Sequence, residues 1–248
     1  MSTVMITGCS SGFGLETARY FADRGWNVVA AMRSPRDDVL APSDGVRILA
    51  LDVRDPASIA QAIKAAGPID ALVNNAGIGF LNPVEGTSME VARDIFETNT
   101  LGTIAMTQAV VPQFRERRSG VIVNVTSSVT LKSLPLLSVY TASKAAVNAF
   151  SDSVALELAP FGVRVRVVLP GRAPDTSFAQ NARERMTEDF PKPYAELVAK
   201  VFAGWEQDTG PVTESGDVAE AVWRAVTDEA SPAHIPAGAD AVALAEAH

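Results

Sequence analysis

Near its start the chain reads Val4-Met5-Ile6-Thr7-Gly8-Cys9-Ser10-Ser11-Gly12-Phe13-Gly14, an apolar run that leads into a glycine-rich turn. A helical pattern follows near residues 13–24. Glycines allow a tight turn and close approach of a bound group to the backbone, and a helix N-terminus presents free N–H groups with partial positive charge. The stretch therefore predicts a strand, an anion-binding turn and a helix. Plain packing of a strand against a helix is the alternative.

Further short apolar runs alternate with helical patterns along the rest of the chain. The predicted strands are 4–7, 27–32, 46–52, 71–74, 121–126 and 163–169, and the predicted helices lie near 13–24, 56–66, 88–116, 140–159 and 217–227. Near-continuous apolar strands separated by helices indicate a parallel sheet covered on both faces. We therefore predict an α/β fold: a doubly wound, Rossmann-like sheet with helices on both faces, forming a single domain over 1–248.

Two segments depart from this pattern. Arg164 and Arg166 alternate with valines in the last predicted strand, and we expect them near a strand end or at a subunit contact. Residues 172–210 carry no strand signal and are typical of a mobile, partly helical insertion. The insertion includes large apolar residues such as Phe178, Met186 and Trp205.

The composition is ordinary for a globular protein, with 248 residues, 47% of them hydrophobic and 20% charged. The net charge of -8 does not fit a nucleic-acid binder, which usually has a basic face. One cysteine and two scattered histidines cannot form a typical zinc site. The sequence shows no signal-peptide pattern and no apolar run that could span a bilayer. We therefore expect a cytoplasmic protein without metal, nucleic-acid or membrane partners.

The end of the second predicted strand carries Arg33 where a dinucleotide site for NAD often has a carboxylate. A guanidinium suits the 2′-phosphate of NADP, and Ser11 could add a hydroxyl donor. Arg33 as a simple loop cation is the alternative.

Tyr140 and Lys144 lie four residues apart in a predicted helix, so they share one face of it. A nearby cation lowers the pKa of a phenol, which makes this pair a candidate proton-transfer group. Ser127 would be the hydrogen-bonding helper, with Ser128 as the adjacent alternative. Taken alone, the pair also fits a solvated helix face.

These motifs together resemble the short-chain dehydrogenase/reductase family. They are the glycine turn, Asn74-Asn75-Ala76-Gly77, Ser127, the Tyr140/Lys144 pair and Pro170-Gly171, in this order and with appropriate gaps. The opening 6–12 and Met32-Arg33 look most like the branch that contains hydroxysteroid and retinol dehydrogenases. The resemblance extends from Met5 to about Phe178.

The resemblance implies a role for each matching residue. Tyr140 would be the acid/base, Lys144 would lower its pKa, Ser127 would hold the substrate oxygen, and the backbone of Asn99 would support a water relay to the lysine. The implied contacts to NADP(H), or less favourably NAD(H), are Gly8, Ser10, Ser11, Gly12, Phe13, Gly14, Arg33, Asp52, Val53, Asn75, Ala76, Gly77, Tyr140, Lys144, Pro170 and Gly171. One stretch departs from the family pattern: the run from Pro170 to Thr176 is one residue longer and contains a second proline.

The implied activity is reversible hydride transfer between NADP(H) and a small-molecule carbonyl or secondary alcohol. Leu134, Leu136, Leu137 and the apolar residues of 178–205 could form a pocket for a bulky apolar substrate, or could simply pack the insertion onto the core. The family implies a homodimer or homotetramer. A non-catalytic NADP(H)-binding sensor or scaffold is the main alternative. A nucleotide-sugar epimerase would need a longer chain, and an enoyl reductase a wider spacing of tyrosine and lysine.

Overall fold

The computed structural model describes residues 1–36, 38–40, 44–174, 176, 182 and 190–247. Its strands are β1 (Thr3–Thr7), β2 (Asn27–Met32), β3 (Val46–Ala50), β4 (Ala71–Asn74), β5 (Gly120–Val125), β6 (Val163–Pro170) and β7 (His234–Ala237). Its α-helices are α1 (Gly12–Ala22), α2 (Pro56–Ala66), α3 (Met89–Phe96), α4 (Gly102–Arg117), α5 (Ser138–Leu158), α6 (Ala195–Gln207), α7 (Ser215–Thr227) and α8 (Ala239–Glu246).

The strands form one parallel sheet in the order β3-β2-β1-β4-β5-β6-β7. The chain adds β2 and β3 on one side of β1 and then β4 to β7 on the other side, so the order of strand addition reverses between β1 and β4. Ligands of such sheets bind in the crevice at this point, outside the carboxyl ends of the strands. The predicted Rossmann-like fold is confirmed.

Alternate residues of each strand feed two hydrophobic cores, one on either face of the sheet. In β1, Val4 and Ile6 join a core that also contains Phe21 of α1 and Val222 of α7. Met5 lies in the opposite core, together with side chains from α2, α4 and α5. This period-two division is what a strand buried on both sides produces, and it explains the near-continuous apolar runs.

Strand β7 was not predicted from the sequence. It is four residues long, lies at the edge of the sheet and contains Pro236. A proline cannot donate to a ladder, so it is tolerated at an edge but weakens the strand signal. The predicted helix over 88–116 is also divided, because a π-helical turn (Glu97–Leu101) separates α3 from α4.

The two arginines of β6 bind within the chain. Arg164 donates to the carbonyls of Ala225 and Val226 at the end of α7, at 3.2 and 2.7 Å. Arg166 donates to Ser231 Oγ at 3.1 Å. A cation at a helix C-terminus satisfies carbonyls that have no partner within the helix. Both arginines lie in the first half of β6, which accounts for charge in an otherwise buried strand. Among the described residues, no helix is both long and apolar enough to cross a membrane.

Candidate active site

The glycine turn between β1 and α1 has a shape that side chains would block. Gly8 and Gly12 have φ values of +75° and +55°, in the region that favours glycine. A Cβ at Gly14 would overlap the carbonyl oxygen of Gly8 and come equally close to the side-chain amide of Asn75. The turn is held to β2 by the N–H groups of Gly8 and Cys9, which donate to Ala31 O at 2.9 and 3.1 Å. Ser10 and Ser11 are exposed on it.

Thr7 joins the ends of β1 and β4. Its hydroxyl oxygen accepts from the backbone N–H groups of Asn75 and Ala76, both at 3.0 Å. The Asn75 amide returns to the turn, donating to Thr7 O at 3.0 Å and Gly8 O at 3.2 Å. A Cβ at Gly8 would lie only 2.8 Å from the Cα of Ala76. The sequence pattern did not single out Thr7, because a threonine at a strand end is unremarkable until its partner segment is known.

A cluster of charged side chains lies beyond the end of β3. The Asp52 carboxylate accepts from the Arg54 guanidinium at 3.1 and 3.2 Å, and Arg54 reaches Asp94 on α3 at 2.8 Å. The bond from Arg54, helped by the more distant charge of Arg33, holds the pKa of Asp52 below its usual range. Arg33 itself is exposed, and Val53 is buried. Arg54, which follows β3, is thus a second cation near Asp52 besides Arg33, and the sequence pattern did not indicate it.

Tyr140 and Lys144 occupy one buried face of α5, as their spacing predicted. The Ser127 hydroxyl, two residues beyond β5, is hydrogen-bonded to the Tyr140 phenol. Lys144 Nζ donates to Val125 O at 3.0 Å. A Cβ at Gly77 would lie 3.3 Å from Lys144 Nζ, which places the loop after β4 directly beside the ammonium group. Hydroxyl, phenol and ammonium therefore converge at the carboxyl ends of β4 and β5.

Asn99 lies in the π-helical turn, a distortion that is frequent at functional sites. Its side chain exchanges two hydrogen bonds with the backbone of Ile78, at 2.8 and 3.0 Å. It also donates to Ser143 Oγ at 3.0 Å, and that hydroxyl donates to Tyr140 O at 2.7 Å. The backbone carbonyl of Asn99 accepts from the Thr103 hydroxyl at 2.9 Å. Asn99 and Ser143 thus join the loop after β4 to the helix that carries Tyr140, and Ser143 was not indicated by the sequence pattern.

Burial dominates the pKa values of the two central groups. It raises the pKa of Tyr140 well above its ordinary value, and the hydrogen bond with Ser127 lowers it by a smaller amount. Burial also lowers the pKa of Lys144 from 10.5 to about 8. Lys144 was expected to lower the pKa of Tyr140. Desolvation of the phenolate is instead the largest contribution, and it raises that pKa. The phenol is held protonated, the form that a proton donor needs.

The run after Pro170 reaches the glycine turn at Thr176. Thr176 is buried, and a Cβ at Gly12 would lie 3.5 Å from its Cβ. The N–H groups of Gly171 and Arg172 bind Thr213 Oγ1 at 2.9 Å and the Asp240 carboxylate at 2.6 Å.

Of the apolar residues expected beside the substrate, Leu136 is buried with a φ of +66°, and its carbonyl accepts from Asn82 N–H at 2.9 Å. Leu134 and Leu137 are partly buried. Phe202 and Trp205 of α6 contact each other edge to face, with ring centroids 5.4 Å apart. Phe178 and Met186 lie outside the described residues.

Comparison with known proteins agrees with this geometry. The family model of the short chain dehydrogenases matches residues 2–187. The uncharacterized oxidoreductase YusZ of Bacillus subtilis is 36% identical over 239 residues, covering 91% of this chain and 84% of its own. Retinol dehydrogenase 8 of Bos taurus is 37% identical over 202 residues, covering 76% of this chain and 64% of its own length.

Solved structures give the same result. A short-chain dehydrogenase from Streptomyces avermitilis superposes with a TM-score of 0.84 at 32% identity, covering 100% of this chain and 91% of its own. A serine dehydrogenase complexed with NADP+ gives 0.79 at 29% identity, covering 95% and 94% of the two chains. A 3-ketoacyl-(acyl-carrier-protein) reductase from Brucella melitensis, complexed with NADH, gives 0.78 at 27% identity, covering 95% and 96%.

Proposed function

The chain belongs to the short-chain dehydrogenase family, and we propose that it interconverts a carbonyl and a secondary alcohol with NADP(H), using Tyr140 as the acid/base. The observation that carries the proposal is the convergence of the Ser127 hydroxyl, the buried Tyr140 phenol and Lys144 beside Gly77 at the carboxyl ends of β4 and β5. A protein that only binds a dinucleotide has no need of this acid/base set.

The residues present fit a nicotinamide dinucleotide. The crowding around Gly8 and Gly14 leaves backbone rather than side chain at the start of α1, where N–H groups and the helix dipole favour phosphate. We assign Gly8, Ser10, Ser11, Gly12, Phe13 and Gly14 to the phosphates, Asp52 and Val53 to the adenine, and Asn75, Ala76, Gly77, Pro170 and Gly171 to the rest of the cofactor. When bound, the nicotinamide supplies or accepts the hydride.

Tyr140 and its neighbours supply the proton chemistry. In the reductive direction Tyr140 donates its phenolic proton to the alkoxide that develops from the carbonyl, while Ser127 hydrogen-bonds the same oxygen. Lys144 stabilises the tyrosinate that is left. Its pKa of about 8 keeps it mostly protonated at neutral pH. Asn99 and Ser143 join the loop after β4 to α5. Asn99 occupies the position of the asparagine that supports the water relay in the family.

Preference for NADP(H) over NAD(H) is proposed from charge. Arg33 directly follows β2 and is exposed, and no carboxylate occupies that position. A carboxylate there would accept from a ribose hydroxyl and repel a 2′-phosphate, whereas a guanidinium pairs with it. Solved relatives include complexes with NADP+ and with NADH, so the family alone does not make this choice.

We further propose that residues 1–248 form one domain whose 172–210 insertion provides the substrate side. Leu136 and the paired aromatic rings of α6 favour an apolar carbonyl. Leu101, immediately before α4, and Leu156 on α5 are large and exposed, which favours a homodimer or homotetramer built on these helices. We place the protein in the cytoplasm.

The experiment is a spectrophotometric screen of NADPH and NADH oxidation against ketones, diketones, steroids and aldehydes. We expect turnover with an apolar carbonyl and NADPH. Tyr140→Phe is expected to reduce turnover to a trace, about 10²–10⁴-fold below the parent rate, and to retain NADPH binding, with Tyr20→Phe on α1 as the matched control. Turnover near the parent rate in Tyr140→Phe would overturn the assignment, and binding without turnover across the panel would favour the non-catalytic sensor.

Cofactor preference has its own paired variants. Arg33→Ala should raise the KM for NADPH by about tenfold and leave that for NADH nearly unchanged, because only the former has a charge-assisted pair to lose. Arg36→Ala removes a cation from the same loop, one that pairs with Asp38. Equal effects of the two substitutions on NADPH would contradict the role of Arg33.

A further inference from the structure

The backbone that follows β6 is held by side chains from distant parts of the chain. Gly171 N–H donates to Thr213 Oγ1 at 2.9 Å, and Arg172 N–H donates to Asp240 Oδ2 at 2.6 Å. Arg172 O accepts from Thr213 N–H at 2.8 Å. Thr213 Oγ1 lies 2.6 Å from Asp240 Oδ1 and 2.9 Å from Ala237 O. We call Thr213 and Asp240 the clamp.

Glycines at two positions leave the space that the side chains of the clamp occupy. A Cβ at Gly171 would overlap both carboxylate oxygens of Asp240. Gly238 has a φ of +93°, and a Cβ there would overlap the Thr213 hydroxyl. Thr213 is completely buried. The clamp is therefore a close-fitted polar contact, and its hydroxyl has no water to replace a lost partner.

The clamp acts on the wall of the proposed cofactor site. Pro170 ends β6, which pairs with β5, and β5 leads to Ser127, so the clamped peptides and Ser127 follow neighbouring strands at the same edge of the sheet. Two successive N–H groups and one carbonyl are fixed, which leaves this backbone little freedom.

We propose that Thr213 and Asp240 are positioning residues that fix Gly171-Arg172 as the nicotinamide-side wall of the cofactor site. The proposal rests on the proposed function for the identity of the ligand. Neither residue touches the reacting atoms. They act by ordering the backbone before the cofactor binds, so that binding does not bear the entropy of ordering it.

The test compares two substitutions at one position. Thr213→Val keeps the shape and removes the hydroxyl, whereas Thr213→Ser keeps the hydroxyl. NADPH affinity is measured by fluorescence titration, and protection of the Gly171 and Arg172 amides by hydrogen exchange without cofactor. Thr213→Val should weaken NADPH binding by about tenfold and speed exchange at these amides. Thr213→Ser should restore both to near the parent values.

Asp240→Ala provides a second test if Thr213→Val does not fold, because it removes the carboxylate from Arg172 N–H and leaves Thr213 in place. Glu246→Ala, exposed on the same helix, is its control. Asp240→Ala should weaken NADPH binding and speed exchange in the same way. Faster exchange with unchanged NADPH affinity would overturn the proposal, as would a lowered Tm alone.

The proposed function and the clamp can fail independently of each other. If the parent protein binds NADPH but reduces no carbonyl, the acid/base assignment fails while affinity and exchange still decide the clamp. If turnover is found and Thr213→Val has parent affinity, the clamp fails and the function stands.

Discussion

The two walls of the proposed cofactor crevice obtain their shape in opposite ways. The turn over Gly8 to Gly14 is shaped by the absence of side chains, because a Cβ would overlap backbone at its tightest point. The wall at Gly171-Arg172 is shaped by polar side chains that arrive from Thr213 and Asp240, 42 and 68 residues further along the chain. The first device is local and sterically demanding, whereas the second is distant and depends on hydrogen bonds.

Gly14→Ala should have the largest effect, because its Cβ would collide with the Gly8 carbonyl and the Asn75 amide. We expect NADPH affinity to fall by more than about a hundredfold, since backbone must move where phosphate would bind. Gly204→Ala is the control, because nothing lies within 4 Å of that Cβ position in α6. It should leave binding unchanged and stabilise the protein by up to about 1 kcal/mol. Equal NADPH affinities in titrations of the two variants would remove the steric account of the first wall.

Lys144→Met tests the group that lies between the walls. Lowering the lysine pKa from 10.5 to about 8 costs the folded state about 3 kcal/mol at pH 7. Replacement by methionine also loses the bond to Val125 O, worth about 1 kcal/mol. We therefore expect a net gain of about 2 kcal/mol in the free energy of unfolding at pH 7, together with loss of turnover.

The gain in the free energy of unfolding should depend on pH. Below pH 8 lysine is charged in both states, so the folded protein bears the full cost of burial. As the pH rises from about 8 towards 10.5, the folded lysine is neutral and the cost disappears, so the advantage of methionine should shrink. Urea unfolding at pH 7 and pH 9.5 measures this, with the exposed Lys64→Met as control. A gain that is the same at both pH values would refute burial as its cause.

Gly238→Ala should break the second wall from the opposite side, with a smaller effect. Its Cβ would displace the Thr213 hydroxyl, so NADPH affinity should fall by about tenfold. Gly25→Ala has a similar φ of +77° but open space around it, so it reports backbone strain alone, worth about 1 kcal/mol of stability. Parent-like NADPH affinity in folded Gly238→Ala would contradict the importance of Thr213.

The same contrast explains what the sequence could reveal. The glycine turn and the Tyr140/Lys144 face follow from steric need and helical periodicity, which act over a few residues. Near-continuous apolar runs separated by helical patterns likewise predicted six strands and the doubly wound sheet. Thr7, Ser143, Thr213 and Asp240 gave no such signal, because a polar residue acquires its role only when folding brings a distant backbone group to it. The edge strand β7 was missed because four residues containing a proline carry too little pattern.

The central claim is that Tyr140 delivers a proton as hydride is transferred to a carbonyl. NADPH labelled with deuterium at the transferable position should leave one deuterium on the carbinol carbon of the product, detected by mass spectrometry. Tyr140→Phe should bind the labelled cofactor equally well and transfer the label more slowly by about 10²–10⁴-fold. Transfer by Tyr140→Phe within a few-fold of the parent rate, or no transfer by the parent protein to any carbonyl, would contradict the account.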